Sequence, residues 1–427
     1  MSKSTRAISR RRYGKISIFV LVDALGWQFT QTHGFLSDML PFRYPVETVL
    51  GFSSAAIPTI LSGEMPEVHA HWSLFKKAGF SSCFKWTIPL LILPTRLREN
   101  YRTRNLVSAL TRAMYRISGY FCLYEVPVSM LHRLDYVEKK NLWAPGALSG
   151  CSNIFDRLTS CSISYYSSGW RRSDEHRAAA SSEALSGEPL RCCFLYLSEL
   201  DAALHLYGLE SRQTNEALAA AGVRIRKLVA RAEKLYSCVE LYVFSDHGMT
   251  PVYECHDLQS VMASSGLDGS RYQVFFDATM ARFWPEGTGV KAQIEKVLAT
   301  LQYGKILSDI DRAELGLRFR TSEYGEIIFV MNPGHIVVPS HVGRTALKAM
   351  HGFHPSDEYS RACFLSSKEI DSPPHHVRDV FSVFVTQLGL DVTGLSGKTR
   401  ARQAEGREGK GNDIVEPGSR QSSVPQF

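Results

Sequence analysis

The 427-residue chain has no long hydrophobic run; nothing in it approaches the ~18 consecutive apolar residues of a membrane-spanning helix. It has no paired-cysteine motif. Its nine cysteines (Cys83, Cys122, Cys151, Cys161, Cys192, Cys193, Cys238, Cys255 and Cys363) are scattered, odd in number and without CxxC spacing. That argues against a zinc-thiolate centre or a disulfide framework and for a reducing compartment. The expected location is cytoplasmic, with room for peripheral contact at the inner face of the membrane. No internal repeat is present. Charge of one sign is in modest excess: the formal net charge is +7. This suits an anionic partner without choosing one, and no nucleic-acid partner is expected. Hydrophobic content of 44% and charged content of 21% describe an ordinary globular chain.

What is there begins at the N-terminus. Lys3, Arg6, Arg10, Arg11, Arg12 and Lys15 precede the apolar run Ile16 to Val22. The pattern superficially resembles an export signal, but the run is short, lacks a small-residue cleavage site and ends at Asp23. It reads as a first strand behind a basic extension, residues 1–14. Two further apolar runs also lead to acids. Cys192 to Leu197 leads to Asp201, and Leu241 to Phe244 leads to Asp246. Continuous β-rich apolar runs predict strands buried on both faces, hence a mostly parallel sheet covered by helices. Glu210 to Tyr236, with apolar residues at helical spacing, predicts the crossover helix between the last two strands. The three acids would then share one sheet edge, where open α/β sheets bind ligands.

Residues 15–395 read as one catalytic domain carrying an inserted cap at about 73–180. Between Lys76 and Arg116 the cap has nine basic residues against one acid, Glu99. It reads as a cationic lid over a phosphorylated or lipid-like substrate, as a surface for an anionic membrane, or as a solvated basic helix. Candidate strands follow at Gln273–Phe276 and Glu326–Met331, and Gly334 to Pro339 reads as a loop or strand. After Leu395 the chain is Gly-, Ser- and Arg-rich, with six basic and four acidic residues; residues 396–427 read as a disordered basic tail.

The chemistry-bearing residues are few. Ser245-Asp246-His247-Gly248-Met249 delivers a carboxylate and an imidazole at a strand tip. Both would need partners if buried, and both are good ligands for a divalent ion. Asp201 and His205 stand four residues apart, so on a helix they share a face. His351-Gly352-Phe353-His354 adds late imidazoles. Taken singly, each has a plain alternative: Asp23 ends a strand, Asp201 and His205 form a surface pair, and a lone His is a satisfied structural residue. Together they supply oxygen and nitrogen ligands for two ions, zinc first and manganese second. Gly51 to Gly63 predicts a helix behind small residues, with Ser53 near its positive end. Ser53 is either a nucleophile activated by a metal or a helix cap.

These motifs, in this order, resemble the alkaline phosphatase superfamily, and within it the type I phosphodiesterase/nucleotide pyrophosphatase branch. Val22-Asp23-Ala24 looks like the first metal Asp, and Ser62-Gly63-Glu64-Met65-Pro66-Glu67-Val68-His69 like the segment after the nucleophile. Counting back from it puts Ser53 at the nucleophile. Asp201 to His205 resembles the Asp-x-x-x-His pair, Ser245 to Met249 the Ser-Asp-His-Gly-Met phrase, and His351-Gly352-Phe353 the late His-Gly-Tyr. The resemblance implies a three-layer α/β/α sandwich. It implies one metal on Asp23, Ser53, Asp246 and His247, a second on Asp201, His205 and His351, and a covalent phosphoserine on Ser53. His354 competes with His351 for the ligand role. Ser54-Ala55-Ala56 stands where Phe-Pro-Asn is common, and no asparagine lies near Trp72-Ser73-Leu74, where one that binds phosphate is expected.

The expected activity is metal-dependent hydrolysis of a phosphodiester or nucleotide-type pyrophosphate bond. The alternatives are a phosphoryl-headgroup transferase and a non-catalytic protein bound to an anionic membrane.

Overall fold

The computed structural model describes residues 13–390; most of the basic extension and the whole of the tail at 396–427 lie outside the described residues. The first strand, Tyr13–Val22, lies between two parallel neighbours. On one side it pairs with Cys192–Leu197 in the register Ser17 to Cys192 through Val22 to Leu197. On the other it pairs with Tyr236–Phe244, Leu21 facing Phe244. Tyr165–Ser167 extends the sheet in parallel at one edge. Ala362–Ser366 and Phe42–Val46 close the other edge antiparallel. The result is a six-stranded, mostly parallel sheet.

Alternation along the first strand decides the layers. Phe19 and Leu21 face one apolar cluster, with Ala55, Ile57 and Ile60 of the helix Ser53–Ser62 and Phe381 and Phe384 of the helix Val380–Leu388. Ile16, Ile18, Val20 and Val22 face the other, with Leu218, Ile225 and Leu228 of the expected crossover helix, Arg212–Leu235. Both faces are covered, which is why these strands read as unbroken apolar runs. Phe19 stacks on Phe194 and Tyr242, at 5.0 and 4.9 Å between ring centres. Full burial of such a ring is worth ~2–3 kcal/mol before its stacking is counted. The fold is the α/β/α sandwich that the sequence implied.

A second sheet of four antiparallel strands (Tyr272–Phe276, Met280–Pro285, Ile327–Met331 and Gly304–Ile306) stands beside the sandwich. The short stretch after Gly334 forms a strand, His335–Val337, parallel to Glu254–His256. Phe275 and Trp284 of the second sheet share an apolar cluster with Phe75, Phe84, Val107, Phe121 and Tyr136. That cluster gives the inserted region a core of its own.

The insertion is shorter than the expected 73–180. Tyr165–Ser167 is a strand of the main sheet, and Ile154, Phe155 and Leu158 belong to the sandwich core. The helix Asp174–Ala184 contributes Ala178 to the opposite face. A strand of three residues among turn-forming Ser and Gly left no periodic signal in the sequence.

Candidate metal centre and nucleophile

Asp23 follows the first strand, Asp246 follows Tyr236–Phe244, and Asp201 lies in the first turn of the helix Glu199–Tyr207 after Cys192–Leu197. Because the three strands are adjacent and parallel, their carboxylates meet at one edge. Ala24 turns the chain there with φ 60°, and its N–H donates to Asp246 Oδ1 at 3.3 Å. Behind it, Thr48 Oγ1 donates to the Asp246 carbonyl at 2.6 Å. Ser53 opens the helix Ser53–Ser62, whose first-turn amides and dipole face the same edge.

Asp23, Asp201, His205, Asp246, His247 and His351 are all buried, and Ser53 is half-buried. Ser53 Oγ lies 3.0 Å from His247 Nε2. The same nitrogen is 3.2 Å from Asp246 Oδ2 and 3.7 Å from Asp23 Oδ1. Asp201 Oδ1 is 3.3 Å from His205 Nε2 and 3.7 Å from His351 Nε2. The His247 and His351 rings stack at 3.8 Å, joining the two groups. Backbone carbonyls orient two imidazoles: His205 Nδ1 bonds Ala349 O at 2.9 Å, and His247 Nδ1 bonds Gly248 O at 3.0 Å. Such bonds fix which ring nitrogen is left to act as a ligand.

Burial, then the neighbouring Asp246 and Asp201 charges, raises the Asp23 carboxyl well above its ordinary range. Burial opposes the charged form of His247, yet Asp246 and then Asp23 and Asp201 push it up to about 9. Burial would also raise Asp246, but the His247 imidazole holds it low. Three buried carboxylates in one pocket call for positive charge. Asp23 Oδ1, Asp201 Oδ1 and Asp246 Oδ2 are buried, and among the described residues none of them receives a well-aligned hydrogen bond. The Asp23 and Asp201 oxygens and the nearby imidazole nitrogens fall into two overlapping groups, Asp201/His205/His351 and Asp23/Asp201/His247, each with its ligand atoms within 4.8 Å of one another; Asp246 joins them through His247. This donor set fits divalent metal ions.

All seven residues singled out in the sequence therefore converge. His354 does not join them: its Nδ1 bonds Ser356 Oγ at 2.7 Å, and His351 occupies the position beside Asp201. His69, in the motif after the nucleophile, is buried away from the cluster; its Nε2 is 3.0 Å from Thr59 Oγ1, and its Nδ1 accepts from the His71 N–H.

Sequence reasoning missed Tyr196, whose hydroxyl donates to Asp23 Oδ2. It also missed the make-up of the cleft beside Ser53. This cleft is walled by Tyr120, Tyr124, Trp143, Trp170 and Tyr196, with Ser73, Glu138 and Asp277 among its polar groups. Among the described residues, no lysine or arginine lines it. The cap reaches the cleft with aromatic rings. Arg104 and Arg112 turn instead to the carbonyls of Val126, Tyr124 and Phe121 within the cap. Near Trp72-Ser73-Leu74, where no asparagine stands, Ser73 Oγ accepts from the buried Arg282 at 3.0 Å, and that arginine pairs with Asp277.

Comparison with known proteins follows the same lines. Human ectonucleotide pyrophosphatase/phosphodiesterase 5 superposes with a TM-score of 0.63 at 14% identity, covering 89% of this chain and 96% of that one. The murine protein does so at 0.61 and 14%, covering 89% and 96%. An inactive murine variant in complex with AMP gives 0.61 and 14%, covering 90% and 96%. At this identity the likeness is one of fold. No curated protein matches the sequence significantly. The family model of type I phosphodiesterase/nucleotide pyrophosphatase matches residues 51–357, and the chain belongs to that family of hydrolases, which act on phosphodiester and pyrophosphate bonds.

Proposed function

We propose that the chain hydrolyses a phosphodiester or nucleotide-type pyrophosphate bond through a covalent phosphoserine on Ser53, with a two-zinc site. The observation that carries this reading is the placement of Ser53. Its hydroxyl lies 3.0 Å from His247 Nε2, between the carboxylate–imidazole cluster and the aromatic cleft. Asp23, Asp246, His247 and Ser53 would hold one ion, and Asp201, His205 and His351 the other. When bound, the ions supply the positive charge that favours the serine alkoxide and offsets charge on the phosphoryl oxygens.

The chain's own residues do the rest. Ser53 Oγ gives up its proton to solvent and forms a bond to phosphorus as the bond to the leaving oxygen breaks, and the leaving oxygen takes up a proton from solvent. The first-turn amides of its helix face the phosphoryl group. Water then cleaves the Ser53–phosphorus bond and returns the hydroxyl. Tyr120, Tyr124, Trp143 and Trp170 offer flat apolar walls to the organic part of the substrate. Glu138, pushed up to about 8 by burial, is largely protonated at neutral pH and presents a donor as well as an acceptor.

The test is metal analysis of the purified protein together with turnover of bis-p-nitrophenyl phosphate. Near-stoichiometric zinc with turnover supports the reading; pure, folded protein with neither overturns it.

A further inference from the structure

Among the described residues, ten of the seventeen exposed large apolar side chains lie between Phe80 and Tyr115. Ile92 is 88% exposed. Leu106, Leu110 and Met114 repeat every four residues along the helix Tyr101–Met114 and are exposed, while Val107 and Thr111 carry its buried face. Scattered single apolar side chains are normal on a protein surface, but a contiguous set marks an interaction site. Charge is equally concentrated. Lys85, Arg96, Arg102 and Arg116 are exposed in the same segment. Its single acid, Glu99, is turned inward, accepting from the N–H groups of Val128 and Ser129 at 2.8 and 3.2 Å and from Arg98 at 3.0 Å.

We propose that this face of the cap docks on an anionic lipid bilayer. The apolar side chains enter the headgroup boundary, and the basic ones pair with lipid phosphates. Charge complementarity selects this occupant over a second copy of the chain, whose matching face would bring like charges together. The docked helix is tied to the cleft. Arg104 bonds the carbonyls of Val126 and Tyr124, and Arg112 that of Phe121. The loop they hold carries Tyr120 and Tyr124 into the cleft wall.

Co-sedimentation tests this with vesicles of phosphatidylcholine alone and of phosphatidylcholine mixed with an equal part of phosphatidylglycerol. The full chain should sediment with the mixed vesicles only and be released by salt. Replacing Arg96 and Arg102 by Gln should weaken binding roughly thirtyfold. Leu106→Ser with Met114→Ser should abolish it. Thermal melts should show all variants folded, and bis-p-nitrophenyl phosphate turnover in solution should be unchanged. Equal binding to both vesicle types, or to neither, overturns the proposal. So does a dimer in light scattering that the leucine and methionine substitutions dissolve. The binding readout is independent of whether the cleft is hydrolytic.

A second cluster stands apart from the cleft. The parallel pairing of Glu254–His256 with His335–Val337 sets His335 opposite Glu254, with His256 two residues on. His256 Nε2 lies 2.9 Å from His335 Nδ1, and that atom lies 3.7 Å from Glu254 Oε2. A tetrahedral zinc ion separates its ligand atoms by about 3.3 Å, so shifts of a few tenths of an ångström suffice. The His256 ring is fixed by stacking on Tyr303 at 3.7 Å. We infer that Glu254, His256 and His335 form a separate zinc site with an open fourth position. Calorimetric zinc titration should give one equivalent more for the unaltered chain than for His256→Ala/His335→Ala. The milder Glu254→Gln should weaken that equivalent without altering the melting curve of the zinc-free protein. Equal stoichiometry in all three overturns the assignment.

Discussion

Ser53 Oγ approaches His247 Nε2 at 3.0 Å, and the far side of that imidazole is fixed by the Gly248 carbonyl. The serine hydroxyl therefore meets a ring that cannot swing away. Ser53→Ala removes the oxygen that would bond phosphorus but keeps the carboxylates and imidazoles. It is expected to lower kcat/KM by ~10³-fold or more while zinc content, read by mass spectrometry, stays near that of the unaltered chain. Activity within a few-fold of the original would move the nucleophile to Ser54 or to a water molecule.

Tyr196 supports the site from behind, through its hydrogen bond to Asp23 Oδ2. Tyr196→Phe keeps the ring, which stacks on Trp143 at 5.1 Å, and loses only the hydroxyl. Loss of such a supporting bond typically costs ~10- to 100-fold in metal affinity. Competition with a chromogenic chelator measures this. An unchanged affinity would show that Asp23 is placed by its backbone alone.

Much of the fold and site was legible because it is written in short-range patterns. Ile16 to Val22 is a nearly unbroken apolar run ending at an acid, which reads as a strand buried on both faces and so calls for two covering layers. Asp201 and His205 needed only helical spacing. Asp246 and His247 needed only their strand. What was not legible depends on contacts far apart in sequence. Tyr196 sits in an apolar run where a ring reads as core, and only the fold brings its hydroxyl to Asp23, 173 residues earlier. Glu138 and Trp143 reach the cleft through a cap whose path no local rule sets. The basic run could be counted, but which of its arginines are spent on cap carbonyls could not.

Gly248 of the Ser-Asp-His-Gly-Met phrase is required by crowding. A Cβ there would lie 2.0 Å from the Tyr359 carbonyl oxygen and 2.9 Å from that of Arg361. Backbone on both sides leaves it little room to move. Gly248→Ala should destabilise the chain by roughly 2 kcal/mol or more and displace the adjacent His247. Thermal unfolding checks the first effect and metal affinity the second. A melting curve unchanged from that of the parent chain would mean that the loop at Tyr359 to Arg361 gives way freely.

Glu138 provides a pH signature independent of the metal centre. Burial raises its carboxyl from 4.5 to about 8, and its Oε1 accepts from the Tyr120 N–H at 3.1 Å. Between those two values the folded chain keeps a proton that the unfolded chain has released. Stability on this account is full below the unfolded value and falls as pH rises, by ~1.4 kcal/mol per unit, levelling off above about 8. Glu138→Gln retains an oxygen for Tyr120 but has no proton to lose, so this slope is absent from the variant. Other titrating groups, His247 included, are common to both chains and cancel in the difference. From about pH 5 to about pH 9 the variant should gain roughly 3–5 kcal/mol relative to the original. Urea unfolding of both proteins across that range measures the difference. Parallel stability curves would place the Glu138 carboxylate in contact with water or a cation, and would remove it as a neutral donor in the cleft.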